Sequence, residues 1–229
     1  MRRMMWVTLV CTVLPAMWGC GYRPIKMYDR PPQFRSFLDM KVGDAAPDFV
    51  LSDISGNDWR LSDQKGKLVV LQFASATSPP FVQALDDFRR EVLSQYLLNP
   101  QVVFVYVFGE AAHPELLSDE ARGRLERDPH LYRVEEARQY YYRLQFREGS
   151  DYNIAGLIPA ASNVVILVDA VNNPAGVRYG YGQGGTTNPA FLIDQDGVVV
   201  GKGLFAAEFL SGSGYRAGNI SQMIHSRLR

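Results

Sequence analysis

LVVLQFASATSPPFV, residues 68–82, decides the reading of this chain. Leu68 to Phe73 is a run of β-formers that ends in small polar residues, and Ser78 then stands before Pro79-Pro80 and a helical pattern. The expected local structure is a strand, a tight loop and a helix N-terminus. From there apolar residues recur at Phe81, Leu85, Phe88, Val92 and Tyr96, three or four apart. That spacing predicts one buried face on a helix of about four turns, ending before Asn99-Pro100.

Working outward, VVFVYVF at residues 102–108 is continuously apolar, as a strand covered on both faces must be. Upstream, residues 42–52 carry a strand-bearing lead-in. Ser55-Gly56-Asn57 turns it into Trp59-Arg60-Leu61, an expected hairpin, and Lys65-Gly66-Lys67 breaks the chain before the central strand. Downstream, residues 113–129 are charged and read as irregular, while residues 132–146 read as a helix. Residues 164–168 form another β-rich run and residues 172–181 a short helix. Residues 190–193 and 198–200 flank Asp194-Gln195-Asp196-Gly197, where Asp-Gly is a strong hairpin signal. A last helix is expected over residues 218–228. Strands alternating with helices in this order predict an α/β layered fold: a central mixed sheet flanked by helices, with an extra N-terminal hairpin.

The chain opens on a different pattern. Arg2 and Arg3 precede an apolar run at residues 6–14, too short to span a bilayer, which is the form of an export signal. Met17-Trp18-Gly19-Cys20 resembles a bacterial lipoprotein box, with a small residue directly before the Cys that becomes lipidated; a plain signal peptide with an incidental Cys is the other reading. The resemblance implies acyl chains on Cys20 and a lipid-anchored protein of the bacterial cell envelope. The expected layout is a signal peptide at residues 1–19, a Pro-containing membrane tether at 20–40 and one domain at 41–229.

The two cysteines of the chain, Cys11 and Cys20, both lie in this leader. Once it is cleaved and Cys20 lipidated, the domain offers no thiolate and forms no disulfide. Without Arg2 and Arg3, 22 basic residues face 24 acidic ones, and no basic stripe interrupts the balance. Nucleic acid is therefore not an expected partner. The three histidines, His113, His130 and His225, are scattered, and the glycine-rich run at residues 180–185 lacks the Lys-Ser/Thr of a phosphate loop. No metal and no cofactor is expected.

Three segments carry a family resemblance: VGDAAPDFVLSDISG, KLVVLQFASATSPPF and TTNPAFLIDQDGVVVGKG. The first two resemble the opening of the redoxin branch of the thioredoxin-like superfamily, and the third its closing hairpin, with Pro189 at the position of the superfamily's cis-proline. Within that superfamily the chain is most similar to iodothyronine deiodinases and their bacterial relatives. Their Ser/Ala-Thr-Sec/Cys-Pro-Pro-Phe signature is matched by Ala76-Thr77-Ser78-Pro79-Pro80-Phe81 except at one residue. A strand ending in Val105-Tyr106 and the segment Glu110-Ala111-Ala112-His113-Pro114 extend the match. The resemblance implies a thioredoxin-like fold and an oxidoreductase ancestry, with Ser78 standing where the chalcogen would be.

The candidate residues follow from that comparison. Ser78, His113 and His130 occupy the family's catalytic positions, and Thr77, Pro79, Pro80, Phe81, Glu110, Asn188 and Pro189 those that would meet a substrate or partner. A hydroxyl has a far higher pKa than a thiol and cannot cycle between oxidation states. Ser78 is thus read as an N-cap before Pro, as a contact to a ligand, or as a nucleophile beside His113 in a hydrolase. His113 is read as a substrate or proton-delivery residue or a surface histidine, and Glu110 as its orienter or a solvated side chain. The expected function is a membrane-tethered thioredoxin-fold protein without thiol or selenol chemistry, binding a protein or small aromatic ligand at the Ser78/Pro189 face. The alternative is a deiodinase-like or redoxin oxidoreductase that uses the Ser78 site or a partner thiol.

Overall fold

The computed structural model describes residues 40–75, 77–78, 81, 88–145, 163–180, 188–205, 208–211 and 214–228. The expected leader, its Cys20 and the tether up to residue 39 lie outside these residues, as do Pro79 and Pro80, while Met40, the tether's expected last residue, is buried in the core. Among the described residues nine strands form one sheet: β1 (Val50–Asp53), β2 (Asp58–Arg60), β3 (Leu68–Ala74), β4 (Val102–Phe108), β5 (Val164–Val168), β6 (Ala190–Ile193), β7 (Val199–Phe205), β8 (Glu208–Ser211) and β9 (Gly214–Arg216). Their spatial order is β2-β1-β5-β4-β3-β6-β7-β8-β9. The three central strands β3, β4 and β5 run parallel, and every other pairing is antiparallel. The sheet is therefore mixed, and the N-terminal hairpin β1–β2 closes one edge.

β3 and β4 are buried at every position, which is why their sequences lack alternation. Successive side chains point to opposite faces. Leu68, Val70 and Ala74 join a core layer with Phe81, Phe88, Val92, Phe104, Ile166, Leu192, Ile220 and Ile224. Val69, Leu71 and Phe73 enter the opposite layer with Phe49, Val105, Leu167, Tyr179 and Phe191. Tyr179 is the hub of that second layer. Its ring lies 5.4 Å from Phe73, 5.0 Å from Phe191 and 6.0 Å from Phe49, and its hydroxyl donates to the Pro47 carbonyl at 2.7 Å. Burying each such ring contributes on the order of 2 kcal/mol.

The helix expected from Phe81 is described at Phe81 and Phe88, then as a π-helical turn at Arg89–Leu93 that runs into α1 (Ser94–Tyr96). Tyr96 anchors its end by donating from its hydroxyl to the Ser221 carbonyl of the last helix, at 3.0 Å. Two pieces of structure were not expected. Residues 113–129, read as irregular, contain α2 (Asp119–Arg127). This helix buries no side chain, so it carries no apolar period; it is held by local terms instead. Ser118 Oγ accepts from the Ala121 N–H, Asp119 and Glu120 lie in the first turn, and Arg124 and Arg127 lie in the last. The second is the hairpin β8–β9, which extends the sheet beyond the expected last strand and precedes the terminal helix.

The remaining helices are α3 (Pro129–Gln145), α4 (Pro174–Arg178) and α5 (Ala217–Arg227). Two turns follow the expected chemistry. Asp194 Oδ1 takes the N–H groups of Asp196 and Val198 at 3.1 and 2.9 Å, and Gly197 sits at φ +84°. In the β1–β2 turn Asp53 Oδ1 takes those of Ser55 and Asn57 at 2.8 and 2.9 Å.

Candidate functional site

The candidate site is a junction at the C-terminal end of β3. Phe73 binds the Asn188–Pro189 loop there twice: its N–H donates to the Pro189 carbonyl at 3.0 Å, and its own carbonyl accepts from Asn188 Nδ2 at 3.2 Å. Asn188 is fully buried, so its side chain faces inward as a clamp between the Pro189 loop and the strand. Every peptide bond among the described residues is trans, the one before Pro189 included. This departs from the cis geometry that the resemblance implied. With the bond trans, Pro189 runs directly into β6 and its carbonyl meets β3 as the next rung of the ladder.

Beyond Phe73 the chain folds back on itself, with the Ser78 N–H donating to the Ser75 carbonyl at 3.2 Å. The hydroxyls of Ser75 and Thr77 lie 2.9 Å apart. Ser75 Oγ also accepts from the Ala112 N–H at 3.0 Å, and Thr77 Oγ1 from the His113 N–H at 3.1 Å. Two backbone amides of the loop after β4 are thereby tied to the loop after β3. Thr77 matters as a strut between loops, and Ser75, which the sequence reading passed over, shares that task.

Ser78 is 1 % exposed and its Oγ has no hydrogen-bond partner among the described residues. It does not cap a helix there, and it is not joined to His113. The His113 ring turns instead toward Glu115, with Nδ1 2.8 Å from Oε1 on the surface. This hydrogen bond holds the Glu115 carboxyl below its ordinary range. The pairing that a Ser78–His113 hydrolase requires is not made. His130 sits exposed in the first turn of α3, and among the described residues no hydrogen bond connects it to the loop. Phe81 is fully buried in the core beside Ala74 rather than offered to a partner.

Glu110 does not orient His113. Its Oε2 accepts from Asn173 Nδ2 at 3.4 Å, which leads to a second network. Arg133 of α3 is 3 % exposed; its Nη1 donates to the Asp169 carbonyl at 3.3 Å, to the Ala170 carbonyl and to Asn173 Oδ1 at 3.0 Å, and its Nη2 donates to the Val171 carbonyl at 3.2 Å. Asp169, fully buried, receives the N–H groups of Ala170 and Ala175 on Oδ1 and of Gly176 on Oδ2. Burial pushes the Asp169 carboxyl above its ordinary range, while those amides and the Arg133 charge pull it down. Asn173 holds the turn in the left-handed region at φ +47°, which an Asn tolerates better than most residues. A line of contacts thus runs from Arg133 through Asn173 to Glu110, two residues before the amide that Ser75 holds.

A cavity of ≈ 240 Å³ lies elsewhere, lined by Leu61, Ser62, Lys65, Val69, Ile193 and Asp194 among others. Those residues flank the start of β3, roughly 20 Å along the strand from Ser75 at about 3.3 Å per residue. It is distinct from the junction.

A model of the AhpC/TSA family matches residues 42–202, a span that includes every strand from β1 to β6 and both loops of the junction. The chain belongs to that family. Its fold is also that of solved thioredoxin-like proteins. A Bacteroides thetaiotaomicron structure provisionally assigned as a protein disulfide isomerase is similar with a TM-score of 0.53 and 16% identity, covering 82% of this chain and 91% of that one. A provisionally assigned thiol:disulfide interchange protein DsbE from Chlorobium tepidum gives a TM-score of 0.50 and 20% identity, over 83% and 99%. The C-terminal domain of a provisionally assigned thiol-disulfide oxidoreductase from Bacteroides thetaiotaomicron gives 0.50 and 15%, over 82% and 96%. At these identities the likeness concerns the fold. No curated protein matches the sequence. In this redoxin family member, Ser78 stands at the loop that the fold builds beside Pro189.

Proposed function

We propose that the protein is a redoxin-type oxidoreductase component that docks a thiol- or disulfide-bearing partner at the junction and draws its sulfur chemistry from that partner. The observation that supports this most is the Phe73 junction itself, where the Ser75–Ser78 and Asn188–Pro189 loops are bound to one strand end within a redoxin-family domain. The electrons must come from outside the chain, because no cysteine follows Cys20. A partner dithiol loses two electrons and two protons as its disulfide closes, and the bound disulfide takes both to become two thiols. The chain changes no oxidation state of its own.

A second reading is favoured by one specific observation: Ser78 replaces the chalcogen and is buried. Under it the protein binds a protein or small aromatic ligand without redox turnover. The loop signature Ala76-Thr77-Ser78-Pro79-Pro80-Phe81 further supports a deiodinase-like branch, for which reductive dehalogenation of an aromatic substrate is the matching chemistry. The layout that goes with either reading is the leader at 1–19, a lipidated Cys20 with its tether to residue 40, and the domain from 41, held at the membrane surface of the cell envelope. Among the described residues no helix is long and apolar enough to cross a membrane.

One experiment separates the readings. Disulfide reduction by an added dithiol is followed with wild type, Ser78→Ala and Ser78→Cys, and against dithiol alone. Acceleration by wild type is the expected result. A wild-type rate equal to dithiol alone, beside an active Ser78→Cys variant, establishes the non-redox reading. Mass spectrometry of the mature N-terminus tests the anchor, with an acylated Cys20 expected.

A further inference from the structure

One polar side chain lies in the middle of the apolar central strand. Gln72 is 1 % exposed, and neither its Nε2 nor its Oε1 meets a hydrogen-bond partner among the described residues. Six residues later the Ser78 hydroxyl is equally buried and equally unmatched. Buried amides and hydroxyls are nearly always paired, with protein or with ordered water, because leaving them dry forfeits their solvation.

The two groups belong to the same region of the core. Alternation along β3 puts Gln72 on the face of Leu68, Val70 and Ala74, the face on which Phe81 and Phe88 pack. The turn from Ser75 to Ser78 folds the chain back at that strand end before it reaches Phe81. Across the sheet Gln72 stands in register with Tyr106 on β4 and with Ala190 on β6. Ala190 thus lies directly beside Gln72 on this face, and toward the strand's C-terminal end the next pair is Ala74 with Phe108, on the side where Ser78 returns.

We propose that Gln72 and Ser78 line an internal hydration site, in which ordered water bridges the carboxamide to the hydroxyl. The donor set selects water. The carboxamide supplies two N–H donors and an acceptor oxygen, and the hydroxyl supplies one donor and acceptor lone pairs. Both groups are neutral, so neither an anion nor a cation finds a counter-charge in them, and a bridging water needs just such a mixture of partners. The site gives Ser78 an inward task, which is to close a buried polar bridge beneath the loop. It stands on the described geometry alone and does not depend on any partner's thiol.

Two measurements on the folded protein test it. Water–protein NMR cross-relaxation is recorded on the Gln72 side-chain amide of wild type and Ser78→Ala, with Gln72→Leu serving to assign that amide's signal. The expected result is a long-lived water contact at Gln72 in wild type that weakens in Ser78→Ala. Thermal unfolding is compared across the same single variants and the double variant. Each single change is expected to lower Tm by roughly 2–4 °C, and the double variant to lose less than the sum, since both singles break one bridge. Absence of a water contact in wild type, or singles that raise Tm and add independently, overturns the proposal. Should Gln72→Leu fail to fold, Gln72→Met and the wild-type spectrum carry the same decision. Failure of the dithiol assay leaves both readouts unaffected, so the two proposals fall separately.

Discussion

The turns that follow β3 and β5 sit at equivalent ends of parallel strands, yet they solve burial in opposite ways. After β5 the chain buries a carboxylate, Asp169, and then surrounds it with three backbone amides, while the Arg133 guanidinium occupies the carbonyls of Asp169, Ala170 and Val171. After β3 it buries neutral hydroxyls, pairs those of Ser75 and Thr77 with the next loop, and leaves Ser78 Oγ without a partner among the described residues. The first turn is a densely hydrogen-bonded structural joint. The second leaves one buried hydroxyl unmatched among the described residues. Charge buried among many hydrogen bonds yields a fixed shape, whereas an unmatched neutral group is tolerated because its desolvation penalty is small by comparison.

The largest effect should come from the densely hydrogen-bonded joint. Arg133→Met strips four hydrogen-bonded acceptors of their donor, and we expect a loss of about 3 kcal/mol or more in urea unfolding. A loss below about 1 kcal/mol would erase the contrast between the turns. Asp169→Asn is next, with about 1–3 kcal/mol expected at neutral pH, because one amide nitrogen would then face a backbone N–H donor. Its pH dependence has a definite sign. Burial, with the amides and Arg133 opposing it, leaves the folded Asp169 carboxyl above the ordinary aspartate value of 3.8. Its contribution is therefore fully present below about 3.8 and is lost as pH rises through the higher folded value. Glu136, raised chiefly by burial, acts in the same direction. Asp48 and Asp53 act oppositely: burial raises each, but hydrogen bonds from Ser62 and Arg60, and from Asn57 and Ser55, bring both below 3.8. Their contribution is present above that value and lost as pH falls through the folded one. Stability should rise from neutral pH toward mild acid and then fall, and Asp169→Asn should flatten the rise in a Tm-against-pH series.

How much of this was legible in advance differs between the two turns for physical reasons. The central strands were readable because full burial demands continuous apolar sequence, as at residues 102–108. The Asp194 turn was readable because Asp-Gly chemistry is local. The α2 helix was missed because an exposed helix held by its Ser118 cap leaves no apolar period. The Ser78 loop was found through its resemblance, but the roles inside it were not. Asn188 turns inward, Phe81 is core, and the partner of His113 is Glu115, since side-chain direction depends on the packing of three loops distant in sequence. The contact between Arg133 and the Asp169 turn gave no signal, the two being thirty-six residues apart on a helix and a turn. Gln72 did give one: a lone amide inside a run of β-formers is a departure that asks for a partner.

The struts between the site loops come next in size. Thr77→Val keeps the shape but removes the acceptor of the His113 amide and the partner of Ser75 Oγ. We expect about 1–2 kcal/mol and a loss of hydrogen-exchange protection at His113, with the turn after β5 unaffected. Equal loss of protection in both turns would mean that they form one cooperative unit rather than two.

The smallest effect belongs to the surface pair beside them. His113→Asn removes the hydrogen bond that depresses Glu115, so the Glu115 carboxyl should titrate closer to its ordinary value by NMR while Tm stays within error. The pair is solvent-exposed, so its two states differ in protonation and hardly in folding. A drop in Tm comparable to that of Thr77→Val would instead place the imidazole among the struts of the loop. His113 would then contribute through its ring as well as through the backbone N–H that Thr77 already holds.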